Sequence, residues 1–208
     1  MFWGVFGVKM GTEGDEKLGK EFELKYAAAS LQVLEEVLCD LGGAAETIKM
    51  ATTYFDAVGG ELSRRKWTLR VRQENEVSVV TLKTAGDGKT RGEWEYNAET
   101  LDGAAEKLVA QGAPAELTAL LAGGVRPVCG AEFTRRAVTL ERDGAVLEVA
   151  LDYGRLFRGD KELPLCEMEV ELKQGDESAA VSLAEELAAR FGLVEEPRSK
   201  FVRAVTIE

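Results

Sequence analysis

The sequence predicts an α+β fold in which antiparallel strands close into a barrel with charged side chains inside and helices packed outside. The first observation is Glu21-Phe22-Glu23-Leu24-Lys25, whose strict alternation puts two carboxylates and an ammonium on one strand face and Phe22 and Leu24 on the other. The second is its return at residues 166–173, where Glu167, Glu169, Glu171 and Lys173 oppose Met168, Val170 and Leu172. The third lies between them: Trp67-Thr68-Leu69-Arg70-Val71-Arg72 alternates apolar residues with arginines, and Val80-Thr81-Leu82-Lys83 follows. A single strand of this kind reads as a solvated edge. A set with an apolar outside and an inside charged with both signs suggests a closed barrel whose lumen binds a polyanion together with cations.

Composition narrows the chemistry. At 208 residues the chain makes one domain of barrel-plus-helices size most simply. A net charge of -11 argues against a nucleic-acid or anionic-membrane surface, because such partners require a basic face. Cys39, Cys129 and Cys166 are odd in number, widely spaced and without zinc spacing, so they read as reduced core thiols of a cytoplasmic protein. With no histidine, Ser-His-Asp and Cys-His catalysis and histidine-ligated metals are excluded, leaving carboxylates, Lys, Arg and metals. Residues 1–19 read as a flexible extension: the apolar run at the start lacks a basic n-region, is too short to span a bilayer and meets no cleavage site.

Taken in order, Ala27 to Leu41 has helical spacing and stops at Gly42-Gly43, a helix expected to plug or buttress the barrel. Ile48 to Phe55 reads as a strand ended by a turn at Ala57 to Gly60. Gln73 to Glu76 is a hairpin tip between the arginine strand and Val77 to Lys83, so Arg70, Arg72 and Lys83 share one interior face. Thr84 to Lys89 reads as a loop, and Arg91 to Asn97 as a strand with Arg91, Glu93 and Glu95 on one side. Leu101 to Gly123 predicts two short helices broken at Gly112 and Pro114. Ala131 to Glu141 and Ala145 to Asp152 form a hairpin around Arg142-Asp143-Gly144, with Glu148 and Asp152 on one face and the small Ala150 between them. After a turn at Gly159 to Leu163 and the second acidic strand, Asp176 or Ser178 caps a helix to Phe191, and Pro197 to Phe201 reads as a tail.

Clustered hard carboxylates without histidine or thiolate suit Mg²⁺ or Mn²⁺, which share their ligand shell with substrate phosphates. Arg70, Arg72, Lys83, Arg135 and Lys200 supply donors for phosphoryl oxygens. Both halves together describe a metal-triphosphate pocket.

The Glu-x-Glu-x-Lys of Glu21 to Lys25 resembles the signature of the CYTH superfamily, the triphosphate tunnel metalloenzymes. The resemblance runs through Leu69-Arg70-Val71-Arg72, Thr81-Leu82-Lys83, Glu95-Tyr96-Asn97, Phe133-x-Arg135, Glu148 to Gly154, Cys166 to Glu171 and Ser199-Lys200-x-x-Arg203, and it looks like the bacterial inorganic triphosphatase branch. It implies a triphosphate tunnel domain over 20–208: an eight-stranded antiparallel barrel that binds triphosphate with two divalent cations and hydrolyses the terminal phosphoanhydride. The appended helical CHAD domain of some members has no room here.

Carried over residue by residue, the resemblance makes Glu21, Glu23, Glu167 and Glu169 the ligands of the metal that clamps the triphosphate. Glu95, Glu148 and Asp152 become the acids of the second metal and its attacking water, with Asp152 also a ligand. Lys25, Arg70, Arg72, Lys83, Arg135 and Lys200 become the phosphate contacts, Lys83 among the catalytic set, with Arg91 and Arg136 as adjacent alternatives and Glu171 past the metal. The expected ligand is a small triphosphate, with no nucleic-acid or membrane partner and the oligomeric state open. Cyclisation of a nucleotide, hydrolysis of thiamine, nucleoside or RNA triphosphates on the same tunnel, and a non-catalytic polyphosphate-binding module are the competing expectations. Trp67 and Trp94 are expected on the outer face, and no aromatic cluster for an organic group accompanies the charged strands.

Overall fold

The computed structural model of the chain describes residues 21–85 and 90–208. The expected extension 1–19, most of the 84–89 loop and the side chains of Glu21, Thr90 and Arg91 lie outside the described residues.

Alternating strands dominate, because nearly every stretch with period-two patterning finds a neighbour. In chain order they are β1 (Glu21–Ala27), β2 (Glu46–Ala57), β3 (Thr68–Glu74), β4 (Val77–Lys83), β5 (Thr90–Arg91), β6 (Glu93–Asn97), β7 (Val125–Arg142), β8 (Ala145–Arg158), β9 (Lys161–Gln174) and β10 (Val194–Glu195). The helices are α1 (Leu31–Leu41), α2 (Glu61–Arg64), α3 (Ala104–Ala110), α4 (Glu116–Leu121), α5 (Glu177–Phe191) and α6 (Lys200–Val205). The β7–β8 turn has φ of 51° at Asp143 and 77° at Gly144. Both residues are left-handed, as a two-residue turn matched to strand twist requires, and Asp-Gly supplies that at little cost.

All strand pairs are antiparallel, and the sheet runs β10-β1-β9-β8-β7-β2-β3-β4-β6. The expected eight-stranded closed barrel is therefore corrected: among the described residues the sheet has nine strands on its path and no continuous closing ladder. The reason is local. β6 pairs with β4 up to Glu93, and Gly92 O still accepts from Thr84 N at 2.9 Å, at a position where a Cβ would lie 2.6 Å from the Trp94 ring. On the other side of Gly92, Thr90–Arg91 pairs with β1 at Phe22 and Glu21, while β1 takes β10 at Tyr26 and Ala27. The curled sheet still wraps one cavity, to which β1, β2, β3, β4, β6, β7, β8 and β9 all contribute.

Three apolar clusters hold this shape. Phe22, Leu24, Leu151, Met168 and Val170 on the outer face pack under Leu34, Val37 and Leu38 of α1 and Leu183 and Leu187 of α5. Helix α1 thus buttresses the sheet from outside. Its cap is Ser30, whose hydroxyl accepts from the Val33 amide at 3.4 Å, and α5 is capped by Asp176 accepting from Ser178 N at 2.8 Å. A second cluster joins Trp67, Leu69, Val80 and Leu82 to α2, α3 and α4, with Trp94 against it, so both tryptophans face outward as expected. Helix α2 was not foreseen: Gly60 enters it at φ 79°, and the Asp56 carboxylate accepts from Leu62 N at 3.0 Å.

The third cluster corrects the reading of residues 197–201 as a tail. Ser199 caps α6, accepting from Val202 N at 3.2 Å, and Phe201 and Ala204 pack on Met50, Tyr54, Phe133, Leu156 and Leu165. Cys39 corrects another expectation. It is exposed, because it lies off the Leu34-Val37-Leu38 stripe that α1 buries, whereas Cys129 is buried and Cys166 is intermediate. All three thiols are free.

Candidate active site

The period-two rule places the charges, and the register brings them into rows. Glu23, Glu171 and Glu148 stand side by side on β1, β9 and β8. One residue pair along, Lys25, Glu169 and Ala150 form the next row, and Glu167, Asp152 and Arg135 the one after it. Facing strands β3 and β4 contribute Arg70, Arg72 and Lys83, and β6 contributes Glu93 and Glu95. Together these residues line a cavity of about 270 Å³, except Ala150, Glu167 and Asp152, which are buried behind its wall.

That buried set forms a closed ion network. The Arg135 fork meets Asp152 with Nε at 2.8 Å from Oδ1 and Nη2 at 2.7 Å from Oδ2, and Nη2 also reaches Glu169 Oε2 at 2.5 Å. The Lys200 ammonium, brought in by α6, lies 2.7 Å from Asp152 and 2.8 Å from Glu169 and also pairs with Glu167. Arg203, one turn along α6, holds the other oxygen of Glu167. Three carboxylates thus meet three cations. Ligand oxygens of Asp152, Glu167 and Glu169 all lie within 4.8 Å of one another, the spacing of a cation site, and the cation present among them is Lys200.

Burial and pairing pull the titrations apart. Burial drives Glu167 above the ordinary carboxylate range, against the pull of Lys200 and with Glu169 adding to the rise. Glu169 goes the other way: burial raises it, but Lys200, Arg135 and Lys25 outweigh that and hold it well below. Burial opposes charge on Lys200 and on Arg135 too, yet Asp152 with Glu167 and Glu169 raises Lys200, and Asp152 with Glu169 raises Arg135. Each basic group therefore stays charged at neutral pH.

The cavity-facing pairs are looser. Lys25 Nζ lies 2.6 Å from Glu23 Oε1, Lys83 Nζ 3.2 Å from Glu93 Oε1, and Arg70 3.8 Å from the same oxygen. Arg72 pairs with Glu74, but its Nε is buried with no hydrogen-bond partner. Burial and neighbouring Arg70 lower the Arg72 pKa, the signature of two guanidinium groups crowded without enough anion. A buried donor left unsatisfied costs about 1 to 3 kcal/mol, which an incoming phosphoryl oxygen would recover.

Of the residues singled out in the sequence, Glu23, Lys25, Arg70, Arg72, Lys83, Glu95, Arg135, Glu148, Glu169 and Lys200 line the cavity. Glu171, expected past the metal, lines it as well. Arg136 points outward, its guanidinium 2.9 Å from Glu35 of α1, which removes it from the phosphate set. Glu21 and Arg91 are opposite one another in the β1–β5 pair, their side chains outside the described residues. Sequence reading gave no site role to Lys173, Ser199 or the β2 wall of Glu46, Ile48, Met50, Thr52 and Tyr54, all of which line the cavity. It also missed aromatic residues at the cavity: Tyr54, Phe133 and Phe201. All three rings are buried, with Tyr54 and Phe201 tilted at 50° and their centroids 5.4 Å apart, and the Phe133 ring near Lys200 at 5.1 Å and Arg135 at 5.9 Å.

Glu23, Glu171 and Glu148, opposite one another on neighbouring strands, line the cavity as like charges that repel, and carboxylate oxygens are the donors a hard divalent cation takes. Lys25 reaches Glu23, and Lys173 reaches Glu171 and Glu148. No helix among the described residues is long and apolar enough to cross a membrane.

Known proteins resemble the chain in sequence and shape. An inorganic triphosphatase of Haemophilus influenzae is 28% identical over 133 residues, which cover 63% of this chain and 38% of that protein. Among solved structures, the PH1819 protein from Pyrococcus horikoshii OT3 superposes with a TM-score of 0.59 at 20% identity, covering 87% of this chain and 96% of that one. A putative adenylyl cyclase from Hippeastrum, described as having a dominant triphosphatase activity, superposes with a TM-score of 0.56 at 18% identity, covering 88% of this chain and 94% of that one. These structural likenesses are of fold. The family model of the CYTH domain matches residues 19–205, and the chain belongs to the CYTH family.

Proposed function

We propose that the protein hydrolyses a triphosphate chain with the help of a divalent cation, and that inorganic triphosphate is its preferred substrate. The observation that carries this is the meeting of Arg70, Arg72, Lys83, Lys25, Arg135 and Lys200 with Glu23, Glu148 and Glu171 around one cavity of about 270 Å³. Such a volume is at the small end for ligand pockets and suits a compact polyanion. Family membership and the triphosphatase relative support the reading.

In this scheme the chain's own residues divide the work. Arg70, Arg72 and Lys83 on one wall and Lys25, Arg135 and Lys200 on the other grip non-bridging oxygens, fixing the chain for in-line attack. Asp152 and Glu167 orient Arg135, Lys200 and Arg203 from behind the wall, so that these cations are preorganised before substrate arrives. Glu23, Glu148 and Glu171 would hold Mg²⁺ or Mn²⁺, with Glu169 as a further donor. When bound, such an ion neutralises phosphoryl charge and acidifies a coordinated water. Glu148, on the cavity wall without histidine nearby, accepts the water's proton, and Glu95 orients it.

The second reading, an organic triphosphate or nucleotide cyclisation, has Tyr54, Phe133 and Phe201 in its favour. Their rings are buried, and Phe133 already faces Lys200 and Arg135, which argues against an open stacking platform. Phosphate release from tripolyphosphate, ATP and thiamine triphosphate, measured side by side with Mg²⁺, Mn²⁺ and EDTA, tests the proposal. Tripolyphosphate should lead, and EDTA should abolish turnover. A clear preference for ATP or thiamine triphosphate would promote the organic reading, and undiminished turnover in EDTA would end the cation requirement.

A further inference from the structure

Lys173 has no part in the scheme above, yet it stands on the cavity wall at the end of the acidic face of β9. Its ammonium bridges two cross-strand neighbours, 2.7 Å from Glu171 Oε2 and 3.4 Å from Glu148 Oε1. Unlike Lys200, which is almost wholly buried and gripped by three acids, Lys173 keeps 27% of its side chain exposed. Among the described residues these two carboxylates hold the ammonium at the end of a flexible stem, so it can leave to water without opening the fold.

We propose that Lys173 is a built-in counter-ion that occupies the Glu148–Glu171 carboxylate pair until a divalent cation displaces it, and so sets the cation concentration at which the site fills. This rests on the proposal that those glutamates ligate a cation. Two adjacent carboxylates crowded on neighbouring strands require positive charge whether or not metal is present. A tethered lysine supplies one charge at an effective concentration no free monovalent ion reaches. A divalent ion brings two charges and can replace it, but only from the fraction of molecules in which the lysine has let go. The apparent dissociation constant is raised by the inverse of that fraction.

The test is direct Mn²⁺ binding at fixed neutral pH, read by the loss of free-ion electron spin resonance signal, with parent, Lys173→Met and Lys173→Gln. Methionine keeps the stem and removes the charge, and glutamine guards against a packing artefact. Both variants should bind Mn²⁺ about tenfold more tightly than the parent, the gain expected if the lysine releases its partners about a tenth of the time. Lys173→Arg should bind no more tightly than the parent. In the parent alone, amine-directed labelling of Lys173 read by mass spectrometry should accelerate when Mn²⁺ is added. Equal affinity across the series, or labelling that Mn²⁺ slows, overturns the counter-ion role while leaving the triphosphatase reading standing. No Mn²⁺ binding by any of the proteins overturns both.

Discussion

Replacing Lys200 with alanine removes the cation at the centre of the buried network, and the cost follows from what remains. Asp152, Glu167 and Glu169 keep oxygens within 4.8 Å of one another, Arg135 still holds Asp152 and Glu169, and Arg203 still holds Glu167. Three carboxylates then share two cations in a region where Asp152 and Glu167 are fully buried. Breaking a buried ion pair from one side costs about 3 to 5 kcal/mol, because the abandoned charge stays desolvated. The protein has one relief, which is to protonate an acid, and Glu167 is the group already driven upward by burial. An acid whose folded pKa exceeds its unfolded value, near 4.5, loses stability as pH climbs from the unfolded pKa to the folded one. Loss of Lys200 widens that window, so the deficit relative to the parent should be small at pH 5 and reach its full size by pH 8. Urea unfolding of both proteins at the two pH values, without metal and with the slope checked for constancy, measures it. Mn²⁺ should rescue the variant more than the parent, since the vacated space is lined as a cation site. Saturation a hundredfold above Kd would return about 2.7 kcal/mol. A variant within about 1 kcal/mol of the parent at both pH values would refute the compensation argument.

Further outcomes follow from the same geometry. Glu148→Gln should lose nearly all turnover while its far-ultraviolet circular dichroism and unfolding midpoint stay near the parent's, because Glu148 faces the cavity and not the core; normal turnover would remove it from the catalytic set. Lys83→Ala should narrow the gap in kcat/KM between tripolyphosphate and pyrophosphate by roughly tenfold, the worth of one charged contact of about 1.5 to 3 kcal/mol, at constant free Mg²⁺. The gap should stay unchanged only if Lys83 does not touch the longer chain. Glu169 is held well below the ordinary range, so its share of stability is present above the unfolded pKa near 4.5 and lost as pH falls below it; Glu169→Gln should flatten that acid limb in unfolding midpoints measured from pH 6 to 3. A maleimide reagent should modify exposed Cys39 rapidly in the folded protein and spare Cys129, which is buried with its thiol pushed up to about 12.

Period-two patterning made the strands and their charged face legible. Glu23, Lys25, Arg70, Arg72, Lys83, Arg135, Glu148 and Glu169 all point into the cavity that the alternation implied. The β7–β8 turn was legible because Asp143-Gly144 adopts the two left-handed conformations that few other pairs tolerate. Closure was not legible. It depends on which strands β1 finds along its free edge, β5 at Glu21 and Phe22 and β10 at Tyr26 and Ala27, and nothing in a strand's own alternation says where its partner will end. The β2 wall was hidden for a different reason: Ile48, Met50, Thr52 and Tyr54 face the cavity without charge, so their parity looks like that of any core strand. Lys173 was noticed as part of a pattern but given no role, because its meaning comes from Glu148 on the neighbouring strand.

The same limit governs the division between metal ligand and structural anion. Parity puts Glu167, Glu169 and Glu171 on one face and treats them alike, yet they differ in depth: Glu167 is fully buried, and Glu171 is a fifth exposed. Depth is set by α6, which arrives from the far end of the sequence with Lys200 and Arg203 one turn apart. A carboxylate that meets such a cation during folding is neutralised without needing an ion from solution. Its neighbour four residues along β9 pairs with Lys173 and lines the cavity. An exchangeable cation competes with a tethered lysine on terms set by concentration, but to reach Glu167 it must first desolvate and then evict two buried basic groups. Reaching the outer row requires neither. On the proposal that the outer row holds the cation, α6, which brings Lys200 and Phe201 to the cavity wall, also selects which of the repeated glutamates remain available as ligands.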